Sequence, residues 1–388
     1  MIPTDAEAAI AAQVTAAREP LHVRGAGTKT GMLRPVQAPG TVSTAGLSGI
    51  GLYAPKELII SALAGTKLHE IETALAAEGQ HLIAEPPDFS ALLGTAPGTQ
   101  TIGGVVAANV SGPRRVAWGA TRDHLMGVRA VTGRGEVIHS GGRVLKNVTG
   151  LDLCKLLCGS HGTLGILTEI TLKVLPAPED TGTIAISGLD AAAAVPVLSA
   201  ALGSPYGVSA AAWLPLSTPL SPDASLTLIR IEDFSASVAY RAEKLRRELG
   251  HPTADILDAE TSRTLWRGVR DVHPLTVAEG NAVWRVSTRP SAGPGVLAAV
   301  PGTTGFLDWG GGLIWLTGPA TEATHRAVET AARAAGGVWT LMRAPDALRS
   351  SVDVVPPEPA PLAAIARRVK DAMDPRGILN PGRIYAGL

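Results

Sequence analysis

Only two cysteines, Cys154 and Cys158, occur among 388 residues. They stand in LCKLLCG, spaced to share one face of a helix, and read as small buried apolar side chains in a reducing compartment. A cysteine-ligated iron–sulfur cluster takes about four such ligands, so this chain is not expected to carry one. Net charge is also missing: 34 Lys and Arg balance 34 Asp and Glu. With no long basic run, nucleic acid is not expected as a partner. Uninterrupted apolar stretches stay below the roughly 18 residues of a membrane-spanning helix. The first twenty residues contain acidic side chains and no apolar core, so they do not read as a signal peptide. A soluble, cytoplasmic protein is expected. Phe and Tyr are scarce, at 3 and 4. Trp213, Trp266, Trp284, Trp309, Trp315 and Trp339 therefore read as core and subunit-interface anchors. The length favours two domains over one.

Glycine, by contrast, is abundant, with 44 residues. Between Glu85 and Pro176 it falls in pairs and at short intervals, beside Ser, Thr and Asn and between apolar runs. The stretch opens EPPDFSALLGTAPGTQTIGGVVAANVSGPRR, continues WGATRDHLMGVRAVTGRGEV and closes GGRVLKNVTGLDLCKLLCGSHGTLGILTEITLKVLP. Glycine has no Cβ and tolerates positive φ, so such segments let main-chain N–H groups approach a ligand and cup an anion. One isolated pair would mean only a tight turn. Several in succession point to a large phosphate-bearing ligand.

Upstream, LHVR reads as a strand running into GAGTKTG at 25–31, where glycine N–H groups and threonine hydroxyls can cradle phosphate. The G-K-[ST] order of a P-loop is missing. The G-x-G-x-x-G fingerprint is matched only in part, because Pro35 and Pro39 interrupt any following helix. Residues 5–18 and 66–79 read as helices, the second with Thr66 as its N-cap. VRAVTGRGEVIHSGG reads as a hairpin. ILTEITLKVLP alternates as a half-buried strand. Asp152 caps a helix or holds Lys146, and Asn109 caps the small helix of TIGGVVAAN or touches the ligand. APEDTGT (177–183) marks a domain boundary. Beyond it, strands and helices alternate in a manner that suggests a small α+β domain with antiparallel strands.

Several motifs together carry a family resemblance. K-N-x-x-G-x-D-L followed by G-S-x-G-T-L-G-I-L-T-E resembles the FAD-binding domain of the vanillyl-alcohol-oxidase type flavoproteins. The PP before TIGGVVAANVSGPRR, then GATRDHLMGVRAVTGRGE, KNVTG-x-DL, LTEITLKVLP and the C-terminal DPRGILNPGRIY, resemble more closely the E subunits of bacterial glycolate oxidases. The resemblance is dense over 85–176, recurs at 21–34 and at the C-terminus, and is thin between about 180 and 365. It implies an α+β fold: a PCMH-type, two-subdomain FAD-binding domain over 1–176 and a smaller α+β cap over 177–360. A C-terminal segment, 361–388, would return to the FAD domain.

The same resemblance implies FAD, gripped at its pyrophosphate by Gly25, Ala26, Gly27, Thr28, Lys29 and Thr30. Some relatives carry a histidine there for a covalent flavin bond; this loop has none, so non-covalent FAD is expected. Further cofactor contacts are expected from Gly103, Gly104, Asn109, Ser111, Gly112, Gly119, Gly162 and the main chain of Ile166. Arg114, Arg115 and Arg122 stand beside these glycines and either hold phosphate or reduced flavin, or, as Arg122 with Asp123, tie a loop.

Oxidising a 2-hydroxy acid also needs a cation for the carboxylate and a base for the hydroxyl proton. Relatives that oxidise D-2-hydroxy acids carry His-rich cap motifs. Here His251, His273 and His325 stand far apart, and the corresponding glycine-rich segment reads FLDWGGGLIWL, with Asp308 its only ionisable residue. Arg285, in VWRVS, is the best carboxylate-binding cation, or else a surface arginine. His161, inside GSHGTLG, reads as a neighbour of the flavin rather than a catalyst. No catalytic residue and no metal site is assigned. The expected role is the FAD-binding subunit of a glycolate-oxidising complex. Its partners would be a larger homologous FAD-linked subunit and an iron–sulfur subunit, through which it would reach the inner membrane. Two alternatives stay open: an electron relay or scaffold without turnover, and a free-standing FAD-dependent oxidase.

Overall fold

The computed structural model describes residues 4–142 and 151–387. Lys146 and the KNVTG segment lie outside the described residues. Two compact units are present. The first comprises Met1–Val110, Gly119–Ala177 and Pro357–Leu388; the second comprises Ser111–Trp118 and Pro178–Pro356. Residues 111–118, expected within the first domain, group with the second.

In the first unit, strand Leu21–Arg24 pairs in parallel with Gly40–Ser43. A five-stranded antiparallel sheet runs Ile50–Ala54, Ile59–Leu63, Ile166–Lys173, Leu125–Val131, Val137–Gly141. Its hairpin, Leu125–Val131 with Val137–Gly141, turns at the TGRG expected from the sequence. Strand Ile166–Lys173 is central and buried on both faces, not half-buried as its alternation suggested: Leu167 and Thr171 are buried along with Ile166, Thr168 and Ile170. The two buried threonines of this strand are tolerated because both are bonded. Thr171 shares a 2.6 Å hydrogen bond with Ser61, and Thr168 donates to Glu7, which also holds Arg129. Thr66 is not the cap of the following helix, Leu68–Ala77. Lys67 stands at that position, while the Thr66 hydroxyl donates to Leu63 O and accepts from Gly49 N, closing a turn.

The chain's end returns to this unit. Ile378 and Leu379 join Ile10, Val14, Leu21, Val42 and Ile166 in one apolar cluster. Leu21 N donates to Ile378 O at 2.7 Å and Asn380 N to Leu21 O at 3.0 Å, so the tail runs along the first strand. A buried ammonium anchors it: Lys370 donates to Asp374, to Thr163 O and to Leu379 O. Removing one partner of a buried pair of this kind costs about 3–5 kcal/mol.

The second unit is an eight-stranded antiparallel sheet. Its order is Asp255–Leu257, Asp180–Ser187, Leu226–Asp233, Val208–Leu214, Thr304–Asp308, Leu313–Pro319, Asn281–Ser287, Val338–Arg343. Helices Ala191–Leu202, Ser235–Glu248, Ala259–Arg270 and Glu322–Ala334 pack on it. Asp190, Asp258 and Thr321 cap three of these helices by accepting a main-chain N–H. Strands Asp255–Leu257 and Thr304–Asp308 were not anticipated, being short and lacking long alternation. The tryptophans behave as core anchors, and the indole N–H groups of the three most deeply buried find acceptors. Trp266 donates to Thr183, Trp284 to His325 Nδ1 and Trp339 to Asp353 O. Arg230 and Arg114 converge on Glu232. Burial pushes that carboxyl up, but the two guanidinium groups outweigh it and hold it well below the usual carboxylate range.

Candidate cofactor site

The first unit contains a cleft that is open to solvent. Four pieces of chain far apart in sequence build it: the loop after strand Leu21–Arg24, the helix Ile102–Ala108, residues 161–167, and the C-terminal tail. From the sequence-expected set, the structure brings Gly25, Ala26, Gly27, Thr28, Lys29, Thr30, Gly103, Gly104, Gly162 and Ile166 to its lining.

Each piece has a local reason for its shape. Gly27 adopts φ +79° with nothing near its missing Cβ, so the turn itself demands glycine. A Cβ on Gly25 would lie 2.7 Å from the Thr101 hydroxyl. Thr30 closes the loop by donating to Gly27 O at 2.9 Å. Thr101 starts the helix Ile102–Ala108, accepting from Gly104 N at 3.3 Å, as N-capping threonines do. The two glycines of TIGG then do different jobs. A Cβ on Gly103 would stand 2.7 Å from Ala64 O, whereas one on Gly104 meets only Thr101 and the Lys29 side chain, at 3.5 Å and beyond. Gly103 is therefore a packing glycine and Gly104 the one that keeps the cleft open.

The tail supplies what the glycine motifs did not predict. Arg383 donates to Lys29 O at 2.6 Å, Thr30 O at 3.1 Å and Arg34 O at 2.8 Å. Asn380 accepts from Val23 N at 2.7 Å and donates to His161 O at 2.8 Å. Both line the cleft, as do His22, Arg24, Thr44, Thr101, Ala107, Ala108, His161, Gly165 and Leu167. The signal for Asn380 and Arg383 was present in NPGRIY, but tail-to-loop contact spans some 350 residues and has no local periodicity.

Arg24, Lys29 and Arg383 make the cleft electropositive. The two imidazoles report it: burial first, then neighbouring cations, holds His22 below its ordinary range and His161 down to about 3. His161 is neutral near pH 7. Burial pushes the Lys29 ammonium down to about 8, with Asp88 pulling the other way, while Lys29 donates to Gln100 at 3.0 Å. The same cleft is lined by apolar Ala107, Ala108, Ile166 and Leu167. A ligand with an anionic segment and a flat apolar segment fits this combination.

Asn109, Ser111, Gly112 and Gly119 are not among the lining residues. Asn109 ends the helix Ile102–Ala108 in the left-handed region (φ 47°) and accepts from Arg122 N at 3.1 Å, which makes it the capping residue. Gly119 sits at φ +89°, beside the Asp123 carboxylate, and that carboxylate accepts from Ala120 N. Ser111 and Gly112 belong to the second unit, where Gly112 O accepts from Trp309 Nε1 at 3.2 Å. Of the arginines, Arg114 is bonded to Glu232 and Arg115 lies over Trp309, so neither is in the cleft. Asp152 caps the helix Leu153–Leu157. Cys154 and Cys158 are free and buried, and burial pushes the Cys158 thiol up to about 12.

Comparison with known proteins agrees with the chemistry of the cleft. The FAD binding domain family matches residues 1–141. The chain is 34% identical to the glycolate oxidase subunit GlcE of Escherichia coli over 382 residues, covering 97% of this chain and 95% of that protein. It is 41% identical to the glycolate oxidase subunit GlcD of Bacillus subtilis over 110 residues, 28% of this chain and 22% of that one. Among solved structures, an alkyldihydroxyacetonephosphate synthase superposes with a TM-score of 0.66 at 18% identity. That alignment covers 93% of this chain and 71% of the other, and it shows a shared fold. The cofactor is FAD.

Two outcomes follow from the geometry. Gly104→Val should lose most bound FAD, read from the 450 nm to 280 nm absorbance ratio, with little change in melting temperature. Gly103→Ala should instead destabilise the fold, by about 1–3 kcal/mol, through overpacking on Ala64. Stoichiometric FAD in Gly104→Val would contradict the placement. The second outcome concerns pH. Lys29 is protonated below about 8 in the free cleft, and a bound diphosphate must raise its pKa. FAD affinity should therefore be level below pH 8 and fall by up to about tenfold per unit above it. Lys29→Met should bind more weakly and lose that slope in an equilibrium titration.

Proposed function

The chain belongs to the glycolate oxidase E-subunit family of FAD-linked oxidoreductases, and from that premise we propose that it serves a 2-hydroxy-acid-oxidising complex. The substrate is glycolate, the product glyoxylate, and the electrons leave through FAD to an iron–sulfur partner. The observation that carries this reading is identity over nearly the full length of both chains. When bound, the flavin supplies the redox couple that accepts a hydride equivalent from the substrate carbon.

The chain's own residues bind and aim that group. The loop at 25–30 offers main-chain N–H groups and hydroxyls to the pyrophosphate, and Lys29 and Arg383 supply the positive charge. Ala107, Ala108, Ile166 and Leu167 give a flat apolar wall that excludes water. His161 stays neutral and takes up no proton near pH 7. A larger homologous FAD-linked subunit is the natural partner, and the match to a D subunit over a shared segment supports it.

One observation favours a second reading, in which this chain relays electrons without turning over substrate itself. His325, the buried histidine of the second unit, is committed to the core: it accepts from Trp284 at Nδ1 and bonds Asp353 O through Nε2. A ring fixed by both nitrogens is not a base for a substrate hydroxyl.

Anaerobic absorbance separates the readings. The FAD-loaded chain is mixed with glycolate, first alone and then with the larger homologous subunit added. Bleaching of the flavin band in the chain alone supports direct oxidation. Bleaching only with the partner supports the relay. A band that glycolate reduces under neither condition would sink both.

A further inference from the structure

The second unit holds a cationic cluster with no part in the cofactor cleft. Strand Asn281–Ser287 carries Arg285, whose guanidinium carbon lies 4.9 Å from the centroid of the Trp309 ring. The guanidinium of Arg115 lies 4.7 Å from the same centroid. Attraction between a cation and an indole face is worth about 0.5–2 kcal/mol, so each contact is favourable alone. Bringing both cations to one ring is a different matter, because like charges repel in a partly desolvated site.

The platform itself is held in place by local bonds. Trp309 adopts φ 52°, a left-handed conformation that is an outlier for a bulky residue and costs about 1–3 kcal/mol. Two hydrogen bonds hold it there: its N–H donates to Asp308 Oδ1 at 2.7 Å, and its indole Nε1 donates to Gly112 O at 3.2 Å. Asp308 is buried, and it forms the turn between strands Thr304–Asp308 and Leu313–Pro319 with the glycines that follow Trp309.

Among the described residues Arg285 touches that ring but meets no hydrogen-bond acceptor. Its side chain is half-buried. Burial, followed by the charge of Arg115, pushes it down to about 10, with Asp308 pulling the other way. A guanidinium presents paired donors in a fixed fork that matches a carboxylate. Leaving that fork unbonded in partly dry surroundings is costly, and a bound carboxylate removes the cost. Charge gives the valence. With Asp308 ionised, Arg115, Arg285 and Asp308 sum to one positive charge, which a monoanion neutralises.

We propose that Arg285, seated on Trp309 beside Arg115, anchors the carboxylate of a monocarboxylic acid bearing oxygen at C2, a 2-hydroxy or 2-oxo acid. The C2 oxygen rests on the functional reading above. The carboxylate requirement rests on the cluster alone. The arrangement makes Arg285 a binding residue: it holds the acid, and its fork sets the orientation.

The test is calorimetric titration of the full FAD-loaded chain, flavin oxidised and air excluded, with glycolate, glyoxylate and the neutral analogue glycolamide. Glycolate and glyoxylate should bind saturably and glycolamide at least about tenfold more weakly, the loss expected for one charge-assisted hydrogen-bonded pair. Arg285→Met should weaken glycolate by a similar factor, and Arg115→Met by less, with FAD content unchanged. Where the methionine variant does not fold, Arg285→Lys replaces it. That variant keeps the charge, loses the paired donors and should bind severalfold more weakly. Equal binding of glycolamide, or wild-type affinity in Arg285→Met or Arg285→Lys, overturns the proposal. The flavin spectrum is followed in the same titration. Arg285-dependent binding without bleaching upholds the site while contradicting direct oxidation; bleaching with unchanged affinity in the variants does the reverse.

Discussion

A single guanidinium near the C-terminus governs the cofactor loop near the N-terminus. Arg383 donates to the carbonyls of Lys29, Thr30 and Arg34; of these, Lys29 O also accepts from Met32 N within the loop. These bonds tie down the loop that lines the cleft, and successive main-chain N–H groups of such a turn suit an anion. Ordering a loop costs about 1–2 kcal/mol per residue in backbone entropy, and glycine costs the most. The contacts of Arg383, with those of Asn380 to Val23 and His161, offset part of that cost before any cofactor arrives. The tail is held in turn by Lys370 and Asp374, and by Ile378 and Leu379 in the core.

The second unit uses a different economy of forces. Its sheet is buried under tryptophans whose indole N–H groups are bonded where the ring is fully enclosed, and buried Glu232 and Asp271 face arginines. Many of its buried polar groups are committed to one another. His325 is spent on packing in this way. Arg285 departs from the pattern: among the described residues its fork meets a ring and no acceptor, which is why the proposed carboxylate site rests on it.

Much of this was legible in the sequence because it is local. The strand before GAGTKTG, the hairpin at TGRG, the cap at Asp152 and most elements of the second unit follow from turn residues and periodicity. The cleft residues 25–30, 103–104, 162 and 166 were readable as glycine clusters and a familiar strand. Other features depend on what packs from a distance. Alternation in ILTEITLKVLP suggested a half-buried strand, but a central position and bonded threonines bury both of its faces. Asn109 carried two readings, and its left-handed conformation made it a cap. Gly103 and Gly104 look equivalent in TIGG and differ only because Ala64 lies behind one of them. Asn380, Arg383 and the convergence of Arg115 with Arg285 on Trp309 join residues far apart in the chain, and no spacing rule announces them.

The tail shapes the cofactor loop, and the FAD dissociation constant of Arg383→Met tests that most directly. Measured by flavin fluorescence on the full chain, with circular dichroism confirming an intact fold, the constant should rise by about tenfold or more, as expected for losing several charge-assisted hydrogen bonds. A folded Arg383→Met chain that binds FAD as tightly as the unaltered protein would show that the loop is organised without the tail, and would contradict the account.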